Sequence, residues 1–427
     1  MSNKTTIRIL TLAEQRDNAI DNRLAGILQE MGYDAEVRNY AMAGCETVTY
    51  EKPDIIVHPM AGARSKIEFV KRCHDWGIGV VIRRGEAGVT ADVFDELDKE
   101  RQKVILGNWD YSPHVDLELT WGQEFSNLLA LKTSMPRSKI VACGPFTLDV
   151  CYQKSRQRNP FKRTILWATA WSGADDAETC TECGVEPESP FHRQMYKQHR
   201  DGRDRWLQTI WNFYLRYSHR YNFILKVRPG ERVDEYVRVL GRSIEVLPYD
   251  TPSAEALAQC DLVIHAGSTL AVEAHLMDVP SINYVNCNPD PRVAELTVQC
   301  KDDKQLSDEI RAVDFNHTNI NIERFNWLVE HLYGPVDGNA CYRAANAIDA
   351  FAKSRGKKKT KIPNAWPHVI RYPSESVTDA KDEVHQHWGL CVQCKGKFWH
   401  RADGEPLSCP YCGINLRWLG GLNVKRA

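Results

Sequence analysis

The sequence predicts an α/β protein with two doubly wound parallel sheets that face each other across a cleft, followed by a small cysteine-rich module. Short apolar runs alternate with stretches of helical periodicity over the first 350 residues or so, a pattern typical of parallel sheets with helices on both faces. The alternation starts a second time near residue 153, which indicates two units. Two Cys-x-x-Cys pairs lie near the end of the chain.

Length and composition place the chain among ordinary globular proteins. Its 427 residues suffice for two or three domains, and 43% hydrophobic with 26% charged residues are average values. A net charge of -1 gives no global sign of nucleic-acid binding. Because we see neither a signal-peptide pattern nor an apolar segment of about 20 residues, we expect a cytoplasmic protein without a transmembrane segment.

The first unit is expected to span residues 1–152. It contains short β-rich runs, separated by helical patterns, at residues 7–12, 54–58, 79–83, 103–106 and 139–143. Apolar residues at helical spacing follow the first two of these runs. We therefore predict a Rossmann-like domain that forms one half of a two-domain cleft.

The second unit is expected to span residues 153–352. Its predicted strands lie at residues 164–169, 223–227, 244–247 and 262–264. A strongly amphipathic helix includes Trp206 and Leu215, and a helix at residues 340–352 is predicted to close this unit. A basic, Pro-containing linker (residues 353–384) and a separate module (residues 385–427) follow.

Residues 261–285, DLVIHAGSTLAVEAHLMDVPSINYV, form the most informative stretch. A buried strand enters a small-residue turn of Gly267, Ser268 and Thr269, a helix with Glu273 one turn in comes next, and a second short strand is expected to begin after Pro280. Free N–H groups and the positive end of the helix dipole at such a turn attract phosphate. Glu273 is placed where a ribose hydroxyl could reach it, so the stretch indicates a nucleotide or nucleotide-sugar site.

Three further side chains join this turn in the prediction. Lys226 and Arg228 follow a buried strand, at the sheet edge where open α/β folds bind ligands, and His265 precedes the turn. Arginine suits bidentate phosphate contacts and lysine acts as a point charge. Taken singly, these residues are equally compatible with solvated loop charges and a satisfied strand-end histidine; their order in the chain favours a site.

The order KVRPGE, PYDTPSAEALAQCDLVI, HAGSTLAVEAHLMDVPSI resembles the C-terminal half of GT-B glycosyltransferases. The resemblance is greatest to bacterial surface-carbohydrate biosynthesis proteins, which are related to UDP-N-acetylglucosamine 2-epimerases and polyol-phosphate transferases. GEAG at residues 85–88, TWG at 120–122 and VACGPFTLD at 141–149 are similar to elements of their first half. The chain departs from that pattern by lacking Asn-Pro-Arg between Gly144 and Asp149, and by carrying Arg84 and Gly85 before a single Glu86.

This resemblance implies a GT-B fold and a nucleotide-sugar donor bound in the second unit. The turn would hold phosphate, the cations would neutralise leaving-group charge, and the carboxylate would accept from ribose. A saccharide or glycolipid acceptor would enter from the first unit. The implied donor-binding residues are Lys226, Arg228, His265, Gly267, Ser268, Thr269 and Glu273.

An inverting transfer needs a group that removes the acceptor proton. We consider Glu86, in a Gly-flanked loop after a strand, then Asp17 in the first strand–helix loop, then Asp110 in the loop GNWD. Each is equally readable as a solvated surface acid. Because no Asp-x-Asp pair stands out as a metal–nucleotide clamp, we expect a metal-independent reaction centre.

The spacing of four cysteines predicts a structural Zn²⁺ site in the terminal module. Two Cys-x-x-Cys knuckles separated by 14 residues are typical of a tetrahedral zinc ribbon. A third knuckle followed by two histidines offers a second site, with a loop of two free thiols as the alternative. The ribbon ligands are Cys391, Cys394, Cys409 and Cys412, and those of the second site are Cys180, Cys183, His192 and His199.

Four functions are therefore compatible with the sequence. The first is a glycosyltransferase acting on a saccharide or surface-glycan acceptor. The second is a glycosyltransferase acting on a nucleic acid, such as a modified base in phage DNA, with the zinc ribbon and the basic run at residues 353–361 binding DNA. A sugar-nucleotide 2-epimerase and a non-catalytic binding scaffold are the other two.

Overall fold

A computed structural model describes most of residues 4–356 and two short segments beyond them. The described residues are 4–11, 14–39, 48, 51–59, 64–85, 90–96, 102, 109–155, 157, 159, 161–171, 174, 190–228, 231–241, 243–248, 251–284, 296–356, 386–390 and 397–401. Within these, only the backbone is described at 14–17, 39, 64–66, 68, 109–110, 190–193, 195, 386–390 and 397–401.

The first unit is a six-stranded parallel sheet in the order β2-β1-β3-β4-β5-β6. Its strands are β1 Thr6–Thr11, β2 Asp34–Asn39, β3 Ile55–His58, β4 Gly79–Arg83, β5 Leu117–Thr120 and β6 Ile140–Ala142. Its helices are α1 Glu14–Glu30, α2 Arg64–Asp75, α3 Ala91–Glu96 and α4 Gln123–Lys132, with 3-10 helices at Trp109–His114, Arg137–Lys139 and Phe146–Gln153. Alternate strand residues face two separate apolar cores, so helices cover both faces.

The second unit repeats this plan in the order β12-β11-β10-β7-β8-β9, again parallel throughout. Its strands are β7 Thr164–Ala168, β8 Asn222–Lys226, β9 Glu245–Val246, β10 Leu262–His265, β11 Ser281–Tyr284 and β12 Val298–Cys300. Its helices are α5 Pro190–Tyr217, α6 Val233–Leu240, α7 Ser253–Ala258, α8 Leu270–Leu276, α9 Asp303–Ala312 and α10 Ile322–Leu328. The predicted pair of doubly wound sheets is confirmed.

Three strands of the two main units escape the sequence-based prediction, namely β2, β5 and β12. The strand predicted at residues 103–106 lies outside the described residues. The other predicted strands occur within one or two residues of their expected bounds, and β4 matches its prediction at both ends.

The helix predicted to close the second unit packs on the first unit instead. This helix, α11 (Ala340–Arg355), buries Ala344 and Ile348 in the same apolar core as Ile20 and Leu24 of α1. Its alanines let it approach α1 closely, and the preceding segment returns the chain from the second unit. The sequence pattern shows which face of a helix is apolar but not which sheet covers that face, so this expectation was wrong.

The terminal module contains one described hairpin, in which β13 (Gln386–Leu390) pairs antiparallel with β14 (Lys397–Arg401). The four predicted zinc ligands lie outside the described residues. In sequence, Cys391 and Cys394 fall in the connection between these two strands. Among the helices that the structure describes, none is long and apolar enough to cross a membrane.

Candidate functional site

The strand orders place a crevice at one edge of each sheet. In the second sheet the order reverses between β10 and β7, whose following helices therefore lie on opposite faces. Open α/β sheets bind ligands outside the carboxyl ends of strands at such a switch point. The turn at residues 267–269, which we call the Gly-Ser-Thr turn, follows β10 and lies at this position. In the first sheet the reversal lies between β1 and β3.

Strand register brings the predicted donor-site residues together at the switch point. Ala168 of β7 pairs with His265 on one side and with Lys226 on the other. Residues in one register row share a face of the sheet. The side chains of Lys226 and His265, which are 39 positions apart in sequence, therefore lie on either side of the small residue Ala168. Arg228 follows at the adjacent edge of the sheet.

The Gly-Ser-Thr turn is held by contacts from two buried side chains. Gly267 has a φ of 63°, a left-handed conformation that favours glycine. Its N–H donates to Asn283 Oδ1 at 2.9 Å, and the N–H of Ser268 donates to His265 Nδ1 at 3.2 Å. The Leu270 N–H is bonded to Ser268 Oγ at 3.2 Å. The N–H groups of Gly267 and Ser268 therefore already have side-chain acceptors, whereas within the described structure the N–H of Thr269 has none.

His265 is completely buried, and burial lowers its pKa to about 4. The imidazole is therefore neutral at pH 7, with Nδ1 as the acceptor and the proton on Nε2. A neutral ring that accepts an N–H from the turn orients the backbone. The structure thus places His265 beneath the turn, where it holds the turn in shape.

Arg228 and Lys226 occupy different environments although they lie two residues apart. Arg228 is exposed, its backbone N–H donates to Thr169 Oγ1 at 2.8 Å, and within the described structure its guanidinium has no partner. Lys226 is buried and donates to Thr251 O at 2.7 Å. Burial lowers the pKa of the Lys226 ammonium, and the charge of Glu273 opposes that shift. Arg228 thus extends into solvent, whereas Lys226 is buried within the sheet edge.

The acidic residue of KVRPGE has a structural role. Glu231 is buried, and its Oε1 accepts from the Trp171 N–H at 2.6 Å. Its other oxygen accepts from the Tyr236 hydroxyl. These bonds tie α6 to the backbone after β7, so they fix the loop that carries Thr169.

The remaining predicted site residues are described in part or not at all. Glu86, Cys180 and Cys183 lie outside the described residues, as do the four ribbon cysteines. Asp17 lies in the first turn of α1 and Asp110 in the 3-10 helix before β5, but only their backbones are described. Only the backbone of His192 is described. The ring of His199 lies edge-on to that of Trp171, with 6.2 Å between the ring centroids.

Two contributors to the site were absent from the sequence-based prediction. Asn283 is 2% exposed at the carboxyl end of β11, and Thr169 lies just past β7. Both act through backbone contacts to predicted residues. Their position directly after or at the end of a predicted strand was the available signal, but strand order was needed to identify them as neighbours of the turn.

No protein-family model matches the sequence, and the comparison with curated proteins finds no match. Solved structures do align over most of the chain. S. aureus MnaA in complex with UDP aligns with a TM-score of 0.51 at 12% identity, covering 85% of this chain and 100% of that one. The wall teichoic acid polymerase TagF, in a variant soaked with CDPG, aligns with a TM-score of 0.53 at 10% identity, covering 83% of this chain and 90% of that one.

A UDP-GlcNAc 2-epimerase from Neisseria meningitidis, bound to UDP-GlcNAc, aligns with a TM-score of 0.48 at 12% identity, covering 81% of this chain and 100% of that one. Identities this low establish the fold alone. The protein has the two-domain α/β fold of GT-B enzymes, with two parallel six-stranded sheets. The predicted fold class of the two main units is confirmed.

Proposed function

We propose that the protein is a glycosyltransferase that moves a sugar from a nucleotide-sugar donor to a saccharide or surface-glycan acceptor. One observation carries this proposal. At the switch point of the second sheet, an exposed arginine without a described partner lies near a preformed small-residue turn and a half-buried carboxylate. A cation, a backbone N–H donor and a carboxylate that accepts from a hydroxyl are the features that a nucleotide diphosphate would meet there.

The donor half of the reaction follows from these contacts. Arg228 and the N–H and hydroxyl of Thr269 would bind the diphosphate, and Glu273 would accept from ribose. As the glycosidic bond breaks, negative charge grows on the leaving nucleotide. Arg228 at the surface and Lys226 beneath it would stabilise that charge, and a preorganised site does so without the reorganisation that water requires.

The acceptor half rests on the first unit. Glu86, Asp17 and Asp110 remain the proposed bases for removing the acceptor proton. Support for Asp17 comes from its backbone position, because the first turn of α1 follows β1 at the switch point of the first sheet. The reaction centre is proposed to be independent of a metal, as expected from the missing Asp-x-Asp pair.

A sugar-nucleotide 2-epimerase is the second candidate. The residues that the structure brings together would form the nucleotide half of the cleft, and an epimerase would use the same half. The two functions differ in their need for an acceptor. A transferase consumes the donor only with an acceptor or slowly with water, whereas an epimerase converts UDP-GlcNAc alone.

Turnover assays separate these functions. UDP-, CDP-, GDP- and CMP-sugars are incubated with and without a saccharide mixture, nucleotide release is measured by chromatography, and the sugar is examined by NMR. We expect release that depends on the acceptor and is lost in R228A but retained in R238A, a control at an exposed arginine of α6. Epimer formed without acceptor would establish the second candidate, and neither product with any donor would contradict both.

The terminal module is proposed to be a zinc ribbon held by Cys391, Cys394, Cys409 and Cys412. Support comes from the hairpin β13–β14, because the first knuckle occupies its connection in sequence. A nucleic-acid acceptor stays a prediction from the ribbon and the basic run at residues 353–361. Salt-dependent DNA binding that disappears when residues 353–427 are deleted would support it, and no binding at low salt would contradict it.

A further inference from the structure

Two histidines and an aspartate meet on the first unit, away from the proposed donor site. His74 and Asp75 end α2, and His114 ends the 3-10 helix that precedes β5. One ligand atom from each of the three lies within 4.8 Å of the other two. His74 Nδ1 lies 3.9 Å from Asp75 Oδ1, and the two imidazole rings are 5.6 Å apart between centroids.

The cluster lies at the edge of the sheet opposite the cleft. Both helices end a few residues before the strands that follow them, β4 and β5, which are neighbours in the sheet. The ends of these helices therefore face the amino ends of the strands. Helix carboxyl ends carry partial negative charge, which favours a cation. Asp116 adds a carboxylate at this edge, bonded to the Val80 N–H at 3.0 Å.

We propose that His74, Asp75 and His114 form a binding site for a divalent transition-metal ion such as Zn²⁺ or Ni²⁺. Two imidazole nitrogens and one carboxylate oxygen suit these ions, whereas Mg²⁺ and Ca²⁺ prefer oxygen ligands throughout. The side chains of His74 and Asp75 are 38% and 56% exposed, so an ion can enter from solvent. Water would complete the coordination.

Such an ion would join the end of α2 to the segment that leads into β5. Because it binds the folded state, it would stabilise the protein by mass action. Its distance from the switch points, at the far end of the strands, implies that occupancy changes stability and leaves the proposed transfer chemistry unaffected.

The test is calorimetric titration of the full chain with Ni²⁺, together with thermal unfolding at increasing Ni²⁺. The test variants are H74Q and H114A, and the control is H317A, which alters an exposed histidine whose Nδ1 lies 2.7 Å from Asp314 Oδ2. Ions held by the cysteines contribute equally to all variants, so the difference between variants isolates this site.

We expect one more bound equivalent in the wild type and H317A than in H74Q and H114A. In these two variants Ni²⁺ binding should weaken at least about tenfold, since loss of an outer-shell partner alone costs that much. The increase in melting temperature that Ni²⁺ causes should be lost in H74Q and H114A together with this binding. Circular dichroism without metal reports whether each variant folds, and H74Q, changed at a side chain that is 38% exposed, serves if H114A does not fold. Identical titrations of folded H74Q and wild type would overturn the proposal.

Discussion

Arg228 and Lys226 lie two residues apart on one strand end, yet solvent reaches only the first. The sequence indicated two cations at a sheet edge and could not rank them, because strand periodicity puts both side chains on the same face. Their difference in solvent exposure depends on how far along the strand each residue lies. Lys226 is the last residue of β8 and pairs with Ala168, whereas Arg228 lies two residues beyond the end of that strand.

His265 should make the protein sensitive to acid. Its pKa is about 4 in the folded chain against an ordinary 6.5, so between these values the unfolded chain binds more protons and stability rises with pH. Its contribution is fully present above pH 6.5 and is lost as pH falls toward 4, by at most about 3 kcal/mol. Urea unfolding at pH 7.5 and pH 5 measures the effect.

The matched variant is H265Q, which cannot titrate. Its stability should fall less between the two pH values than that of the wild type, whatever its stability at pH 7.5. H317Q, changed at an exposed imidazole, is expected to follow the wild type. An equal loss of stability in H265Q and the wild type would show that burial of His265 does not cause the sensitivity.

Other residues of the site gave no comparable signal in the sequence. Asn283 is one amide in a short strand, and its contact with Gly267 depends on β11 lying beside β10. Glu231 was visible within KVRPGE, but its bonds to Trp171 and Tyr236 require the loop after β7 to fold back over α6. Chemistry at strand ends was predictable, whereas contacts between neighbouring loops were not.

At the scale of elements, two backbone segments meet with no space for a side chain. A Cβ added at Gly122 would lie 2.4 Å from the carbonyl oxygen of Leu332, and one at Gly334 would lie 2.9 Å from that of Trp121. The buried Trp121 ring packs edge-on against Tyr333 at 5.6 Å. The TWG motif at residues 120–122 therefore serves as a packing junction between β5 and the segment that returns from the second unit.

Gly122 and Gly26 offer a matched pair of substitutions. G122A forces the junction apart and should destabilise the protein by about 2 to 3 kcal/mol. G26A, in the interior of α1 with nothing within 4 Å of the new methyl group, should stabilise it by about 0.5 to 1 kcal/mol. Urea unfolding of both variants compares these effects. A neutral G122A would contradict the close contact that the structure shows.

The elements that prediction missed share a physical cause. β2 contains Asp34, Glu36 and Arg38 at alternate positions, as an edge strand with a solvated side permits, so its apolar content is low. β5 includes Glu118, which is buried and pairs with Arg84 at 2.6 Å and with the Tyr111 hydroxyl at 3.2 Å. β12 has only three residues. Hydrophobic patterning finds strands buried on both faces and overlooks those whose charges find partners.

At the scale of the whole molecule, α11 returns the chain from the second unit to the first, on which it packs. The buried carboxylate of Asp149, just before the second unit, accepts from the N–H groups of Ala340 and Cys341 at 3.1 and 2.8 Å. In the second half of α11, Asp349 accepts from the Tyr33 hydroxyl at 2.8 Å. One carboxylate at the junction thus holds the start of the helix that returns the chain to the first unit.

Removing that carboxylate should loosen the junction. D149A leaves two buried N–H groups without acceptors and removes a negative charge at a helix amino terminus, so we expect a loss of about 2 kcal/mol. Hydrogen exchange should accelerate in α11 more than in the second sheet. D337A, which removes an exposed carboxylate paired with Arg343, is the control and should change stability less. Unchanged exchange in α11 of D149A would contradict this role.

The terminal module makes a compositional prediction. We expect about one tightly bound zinc per chain by elemental analysis, since four thiolates complete a tetrahedral site. C409S should lose it and C260S, at a buried cysteine of the second unit, should retain it. Chelation should expose residues 385–427 to protease, because such a small module depends on its metal. Zinc content unchanged in C409S would refute the ribbon.

The most direct test of the proposed donor site compares nucleotide binding by the wild type, R228A and R238A. Binding is measured as the thermal stabilisation that UDP, CDP, GDP and CMP each cause. A nucleotide at about 100 times its Kd should stabilise the wild type by about 3 kcal/mol. R238A should respond equally, and R228A should bind about 10- to 100-fold more weakly, the value of a charge-assisted hydrogen bond. No stabilisation of the wild type by any nucleotide, or equal stabilisation of R228A, would contradict the donor site at the switch point of the second sheet.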